Sequence, residues 1–134
     1  MGQGLGTYVW PVNVTTPAGT PLAAPLTTRP GIGVIWIDSV ELRIPIGHRG
    51  TTGIYIANSG SQLLPFSQTI SWLVGDDERL VFDFGVQVDS GLQVVTYNTD
   101  LFDHTHYLRI QGRPMVLQNM NVIAPPTPAI PIVA

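Results

Sequence analysis

Apolar and polar side chains alternate with a period of two through much of the central chain, which is the pattern of strands that bury one face. In residues 34–44, Val40, Leu42 and Ile44 point one way and Glu41 and Arg43 the other, and Pro45 ends the run. The preceding Val34-Ile35-Trp36-Ile37 is apolar on both faces, so this half of the strand is expected to be covered twice. Residues 79–84 alternate most clearly, with Leu80, Phe82 and Phe84 sharing a face. Residues 54–57, 69–74, 92–97 and 105–110 read as further strands, and 115–117 as a last short one. The runs 92–97 and 105–110 flank a turn written by residues 98–103 and are expected to pair as one hairpin. The fold class expected is all-β, an antiparallel, jelly-roll-like sandwich.

The two ends break this pattern. Residues 1–33 carry Pro11, Pro17, Pro21, Pro25 and Pro30, a spacing no helix survives, and each proline pushes its predecessor toward extended backbone. They also carry Tyr8, Trp10, Val12, Leu22 and Leu26 against a single charge, Arg29, which is not the composition of a disordered linker. The segment is expected to be an arm, up to about 100 Å long if fully extended, that lies on a neighbour. Residues 121–134 form a second arm: uncharged, stiffened by Pro125, Pro126, Pro128 and Pro131, and apolar through Ile123, Ile130 and Ile132. The expected domains are therefore an N-terminal arm (1–33), a β-sandwich (34–120) and a C-terminal arm (121–134).

Composition sharpens this picture. Only 11% of the 134 residues are charged, well below the roughly 25% of ordinary soluble domains, so the surface suits coverage by neighbours. All six basic residues are Arg, the cation adapted to bidentate interface pairing, although a GC-rich coding sequence gives the same bias. The net charge is −3 and the arginines are scattered singly, so no basic groove for nucleic acid is expected. No apolar run approaches the ~18 residues of a membrane span, so no membrane partner is expected. With no cysteine there is no disulfide framework or thiolate chemistry.

Few residues offer chemistry. His104 and His106 are two apart, so on a strand they face one side, with Asp100 and Asp103 in the turn before them. Two imidazoles and a carboxylate are a metal-ligand set, but such turn residues ordinarily cap their own backbone, so no metal or other cofactor is expected. No nucleophile elbow accompanies the serines, and no enzymatic activity is expected. Gly47-His48-Arg49-Gly50-Thr51-Thr52-Gly53 is glycine-rich, yet it opens a strand instead of the helix a phosphate loop requires. The acidic turn 75–78 is expected to be solvated and partly offset by Arg79. Trp10, Trp36, Trp72, Tyr55 and Tyr97 would make a sugar platform only if the core did not need them.

The run Val40-Glu41-Leu42-Arg43-Ile44-Pro45-Ile46-Gly47-His48-Arg49-Gly50, then Leu64-Pro65-Phe66, Gly75-Asp76-Asp77-Glu78, Tyr97-Asn98-Thr99-Asp100, Asp103-His104-Thr105 and Tyr107-Leu108-Arg109 resembles small structural proteins of tailed bacteriophages, especially those of actinobacteria. The likeness spans about residues 34–112, with Thr16-Pro17-Ala18-Gly19-Thr20-Pro21 as a lead-in. It implies a non-enzymatic β-sandwich of the virion, first of all a capsid decoration or minor capsid protein. Its partners would be the major capsid protein or other virion proteins, and it would form homo-oligomers, a trimer by preference. A tail or head–tail connector protein is the alternative, and a host-surface glycan-binding module the next. Arg43, Arg49 and Arg109 are the expected interface cations, with the apolar residues of the arms as anchors.

Overall fold

A computed structural model describes residues 7–66, 71–89 and 91–115. Eight strands occur among them: β1 (Tyr8–Thr16), β2 (Leu26–Thr28), β3 (Ile35–Ile44), β4 (Thr52–Asn58), β5 (Ser61–Leu64), β6 (Glu78–Val88), β7 (Leu92–Asn98) and β8 (His104–Pro114). They form two antiparallel sheets, ordered β1-β8-β3-β6 and β2-β7-β4-β5. Eight strands in two four-stranded sheets with this interleaved order make a jelly roll. The expected all-β sandwich is what the chain forms.

The core is the set of inward positions the alternation marked. Val40, Leu42 and Ile44 of β3, Leu108 and Ile110 of β8, Ile54 and Ile56 of β4, and Leu92 and Val94 of β7 are all buried between the sheets. Burial of such a side chain contributes about 1.5–3 kcal/mol before ordering costs. The register of β3 slips between Ile37 and Ser39 against both neighbours, a bulge that lets the apolar first half and the alternating second half each aim inward. Gly112 of β8 lies opposite it, and a Cβ there would collide with the backbone carbonyl of Trp36.

Three expectations are corrected. The N-terminal arm is not an arm over its described length. Residues Tyr8–Thr16 pair with β8 from Tyr8↔Gly112 to Thr16↔His104, and Leu26–Thr28 pair with β7. Val12 and Val14 are buried in the core, and Trp10 and Leu26 pack against it, so these side chains are spent within the molecule. Proline does not prevent this because β1 is a sheet edge, where a missing N–H is tolerated. The hairpin is corrected too: β7 and β8 lie in opposite sheets, and residues 99–103 cross between them. Finally, residues 71–74 of the predicted strand 69–74 are not a strand but make one bridge, Leu73 to Ile54, while β6 runs from Glu78 to Val88, beyond the predicted 79–84. Residues 116–134, with Ile123, Ile130 and Ile132 and the end of the predicted strand 115–117, lie outside the described residues.

Candidate functional site

Thr16, Ile44, Thr52, Asn98 and His104 all stand at one end of the sandwich, as the pairings Thr16↔His104 and Thr52↔Asn98 require. The loops 17–25, 45–51 and 99–103 and the turn at 75–77 gather there into a crown, tied by backbone bonds from Gly50 to Gly75, Asp77 to Pro45, Gly19 to Asp100 and Thr99 to Thr51. Beneath it lie all three histidines of the chain. His48 and His106 are fully buried, and the ring centroids are 4.4 Å apart for His48–His104 and 4.8 Å for His48–His106. As expected, His104 and His106 face the same side of one strand. His48 arrives from the glycine-rich loop, whose Gly47 and Gly50 take the positive φ values of +111° and +72° that the turn requires. Gly53 serves differently, since a Cβ there would strike the Tyr97 ring.

The hydrogen bonds admit one consistent assignment. Nε2 of His48 faces the Thr105 carbonyl at 3.1 Å, and a carbonyl only accepts, so Nε2 carries the proton. Nδ1 of neutral His48 then accepts from the Thr52 hydroxyl at 2.7 Å. That hydroxyl oxygen in turn accepts from His106 Nε2 at 3.5 Å, a long contact, which leaves His106 Nδ1 a buried acceptor without a donor among the described residues. Protonation there would create an N–H with no acceptor, in a site already shared with two other imidazoles. Burial first, then the neighbouring His48 and His104, pushes His106 down to about 3, and burial likewise lowers His48.

The crown is tied in by the turn residues. His104 Nε2 bonds Asp100 Oδ2 at 2.8 Å, and this bond, with the Leu101 N–H, holds the Asp100 carboxyl below its ordinary range. Asn98 donates to the Thr16 carbonyl at 3.0 Å and to the Phe102 carbonyl at 2.7 Å, while its Oδ1 accepts from the Asp100 N–H. Thr16 and Thr96 share a hydroxyl–hydroxyl bond of 2.6 Å across the sheets. Asp103 does not cap its own turn; it accepts from the Ala18 N–H at 2.9 Å and pins the β1–β2 loop. The acidic turn is held in an unexpected way. Asp76 accepts from the Gly47 N–H and is stabilised by the Arg49 and His48 N–H groups, and Asp77 pairs with Arg43 at 3.0 Å, whereas Arg79 turns away to Glu41.

The polar atoms of this cluster are engaged largely within the molecule. Both ring nitrogens of His48 and the Nε2 of His104 are taken by structural bonds, and among the described residues no group of His, Asp and Glu is arranged to hold a metal ion. What the buried network presents is above it. Ile46 is 75% exposed, Leu101 86% and Phe102 70%, three large apolar side chains on short, well-anchored loops.

The other expected residues are dispersed. Tyr8 stacks on Trp10 at the opposite end of β1, Leu22 is half exposed on the β1–β2 loop, and Arg49 is exposed with a φ of 50°. Arg109 lies with Glu41, Arg79, Asp83 and Gln111 in a shallow depression of about 270 Å³ on the outer face of the β1-β8-β3-β6 sheet. Of the five aromatics, Tyr55, Trp72 and Tyr97 meet edge to face at 4.8 Å, covering one another's rings on the opposite sheet. His48, Thr52, Asn98 and Thr16 were not singled out from the sequence, and only the glycine content of the 47–53 loop marked the neighbourhood of the first two.

No family model and no curated protein matches this chain. Among solved structures, a chain from work on Bacillus endospore appendages, a family of disulfide-linked pili, aligns with a TM-score of 0.36 at 13% identity. The alignment covers 84% of this chain and 93% of that one. Likeness at this level bears on neither family nor function.

Proposed function

We propose that this chain is a non-enzymatic structural subunit of a tailed-bacteriophage virion, in the first place a capsid decoration or minor capsid protein that holds on to the major capsid protein. The virion comes from the resemblance across residues 34–112. The jelly roll is compatible with it, since viral capsid proteins use this architecture, but so do lectins and cupins, and fold alone decides nothing.

The observation that carries the adhesive reading is the crown. Large apolar groups at the tips of loops are costly in water unless something covers them, and here a buried hydrogen-bond network fixes them in place. Fixing the loops in advance lowers the ordering cost of association. With residues 8–28 built into the sandwich, the attachment passes to Ile46, Leu101 and Phe102 and to the C-terminal arm, with Arg43 and Arg49 as the nearby cations, while Arg109 lies apart on the outer sheet face. A homo-oligomer, a trimer by preference, would bring several crowns to bear together.

The test is the composition of purified particles. Copies in numbers comparable to the shell protein support decoration; a few copies per particle move the protein to the tail or connector; absence from particles refutes the virion reading.

A further inference from the structure

We infer that the outer edge of β6 is a dimer interface, where β6 of a second copy of this chain pairs antiparallel with it about a two-fold axis at Val81. The inference goes beyond the virion reading and does not rest on it.

A sheet edge offers unpaired N–H and C=O groups to any extended segment, and proteins blunt such edges with prolines or short strands. Three of the four edges of this sandwich are blunted in that way: β1 contains Pro11, β2 has 3 residues and β5 has 4. β6 differs. It has 11 residues and no proline, and among the described residues it pairs only with β3. Val81 is 51% exposed on its outer face, and Leu80 and Phe82 pack on the core from its inner face yet remain only partly buried.

The occupant follows from the order of the charges. Arg79 and Asp83 stand on the outer face of β6, one on either side of Val81. Two copies paired antiparallel with Val81 opposite Val81 set each Arg79 opposite Asp83 of the other copy, and each Leu80 opposite Phe82. Opposite charges and apolar groups directly across a strand pair stabilise it, and like charges there destabilise it. Neighbouring alignments lose this match. Centred on Phe82, Arg79 meets Gly85 and Asp83 meets Val81; centred on Asp83, where all 11 residues align, Asp83 meets itself. Arg79 also has donors left for the contact, because Glu41 takes its Nε at 2.6 Å and the rest of the guanidinium fork is turned to neither Glu41 oxygen. No ion pair among the described residues includes Asp83.

Such a contact is isologous and closes at two copies, joining their β1-β8-β3-β6 sheets into one continuous sheet. β6 starts opposite Ile44 at the crown and the paired strand runs the other way, so the two crowns point apart. The dimer links two surfaces, and a trimer needs a further contact.

The test uses the full chain and exchanges the charges. Arg79→Asp and Asp83→Arg are made separately, and thermal unfolding checks that each is folded. The unaltered chain is expected to dimerise with rising concentration in sedimentation equilibrium. Either variant alone sets like charges against each other twice and should dimerise about tenfold more weakly. An equimolar mixture of the two restores both ion pairs in a heterodimer and should return to the unaltered affinity. The chain has no cysteine, so Val81→Cys gives a second measurement without a change of charge. Paired Cα atoms about 4.5–5.5 Å apart are within disulfide reach. Val81→Cys should therefore oxidise to a dimer, and Gln87→Cys, exposed on the same strand, should not. An unaltered chain that stays monomeric at every concentration, variants that dimerise as the unaltered chain does, a mixture as weak as its components, or equal trapping at both cysteines overturns the inference.

Discussion

The hydroxyl of Thr52 stands 2.7 Å from Nδ1 of His48, and through it the start of β4 in one sheet is fastened to a loop histidine that also grips the β8 backbone of the other. The same oxygen meets His106, so one small side chain serves two buried imidazoles. Thr52→Val keeps the shape and removes both bonds. With each buried polar group left unpaired costing about 1–3 kcal/mol, a loss of roughly 2–4 kcal/mol is expected in urea unfolding, whereas Thr52→Ser is expected to keep most of the stability.

Acid should loosen the protein through the same cluster. The folded-state pKa of His106 lies below that of the unfolded chain, so the unfolded chain takes the proton more readily. Stability is therefore full above about pH 6.5 and declines as pH falls toward about 3. His48, shifted the same way, adds to the decline, while Asp76 and Asp100 nearby remain ionised over most of that window. Unfolding followed at pH 7.5 and pH 5 should differ by about 2 kcal/mol for His106 alone. His106→Leu should flatten the difference, and an unchanged slope in that variant would show that His106 is not its source.

Gly112 tests the packing at the β3 bulge. Gly112→Ala drives a methyl into the Trp36 carbonyl and the Ile37 backbone, which cannot swing aside as a side chain would, and a loss of about 3 kcal/mol is expected. Gly33→Ala meets open space and should change thermal stability little.

How far the sequence could be read depends on the range of the interaction. Alternation in residues 34–44, 79–84 and 105–110 is local, and it gave the strands and their inward faces directly. Proline in residues 1–33 was local as well, but its meaning was not: Pro11 is harmless once β1 is an edge strand, and Trp10, Val12 and Val14 already alternated inward for a reader who discounted it. Nothing in residues 98–103 distinguishes a hairpin from a crossing between sheets, because that choice is made by what Asn98 meets, the carbonyl of Thr16, which is distant in sequence. His48 was hidden for the same reason, separated from His104 and His106 by most of the fold.

The crown should be separable from stability. Leu101→Ser with Phe102→Ser changes groups that are already in water, so unfolding should move by no more than about 0.5 kcal/mol. Attachment to particles lacking the protein should drop sharply in a sedimentation assay, and undiminished attachment would remove the crown from the interface.

A map of the intact particle at a resolution that shows strands bears most directly on adhesion. It is expected to place the jelly roll with the Ile46, Leu101 and Phe102 end buried against a neighbouring polypeptide. A particle in which that end faces open solvent, or in which no such jelly roll is present, would contradict it.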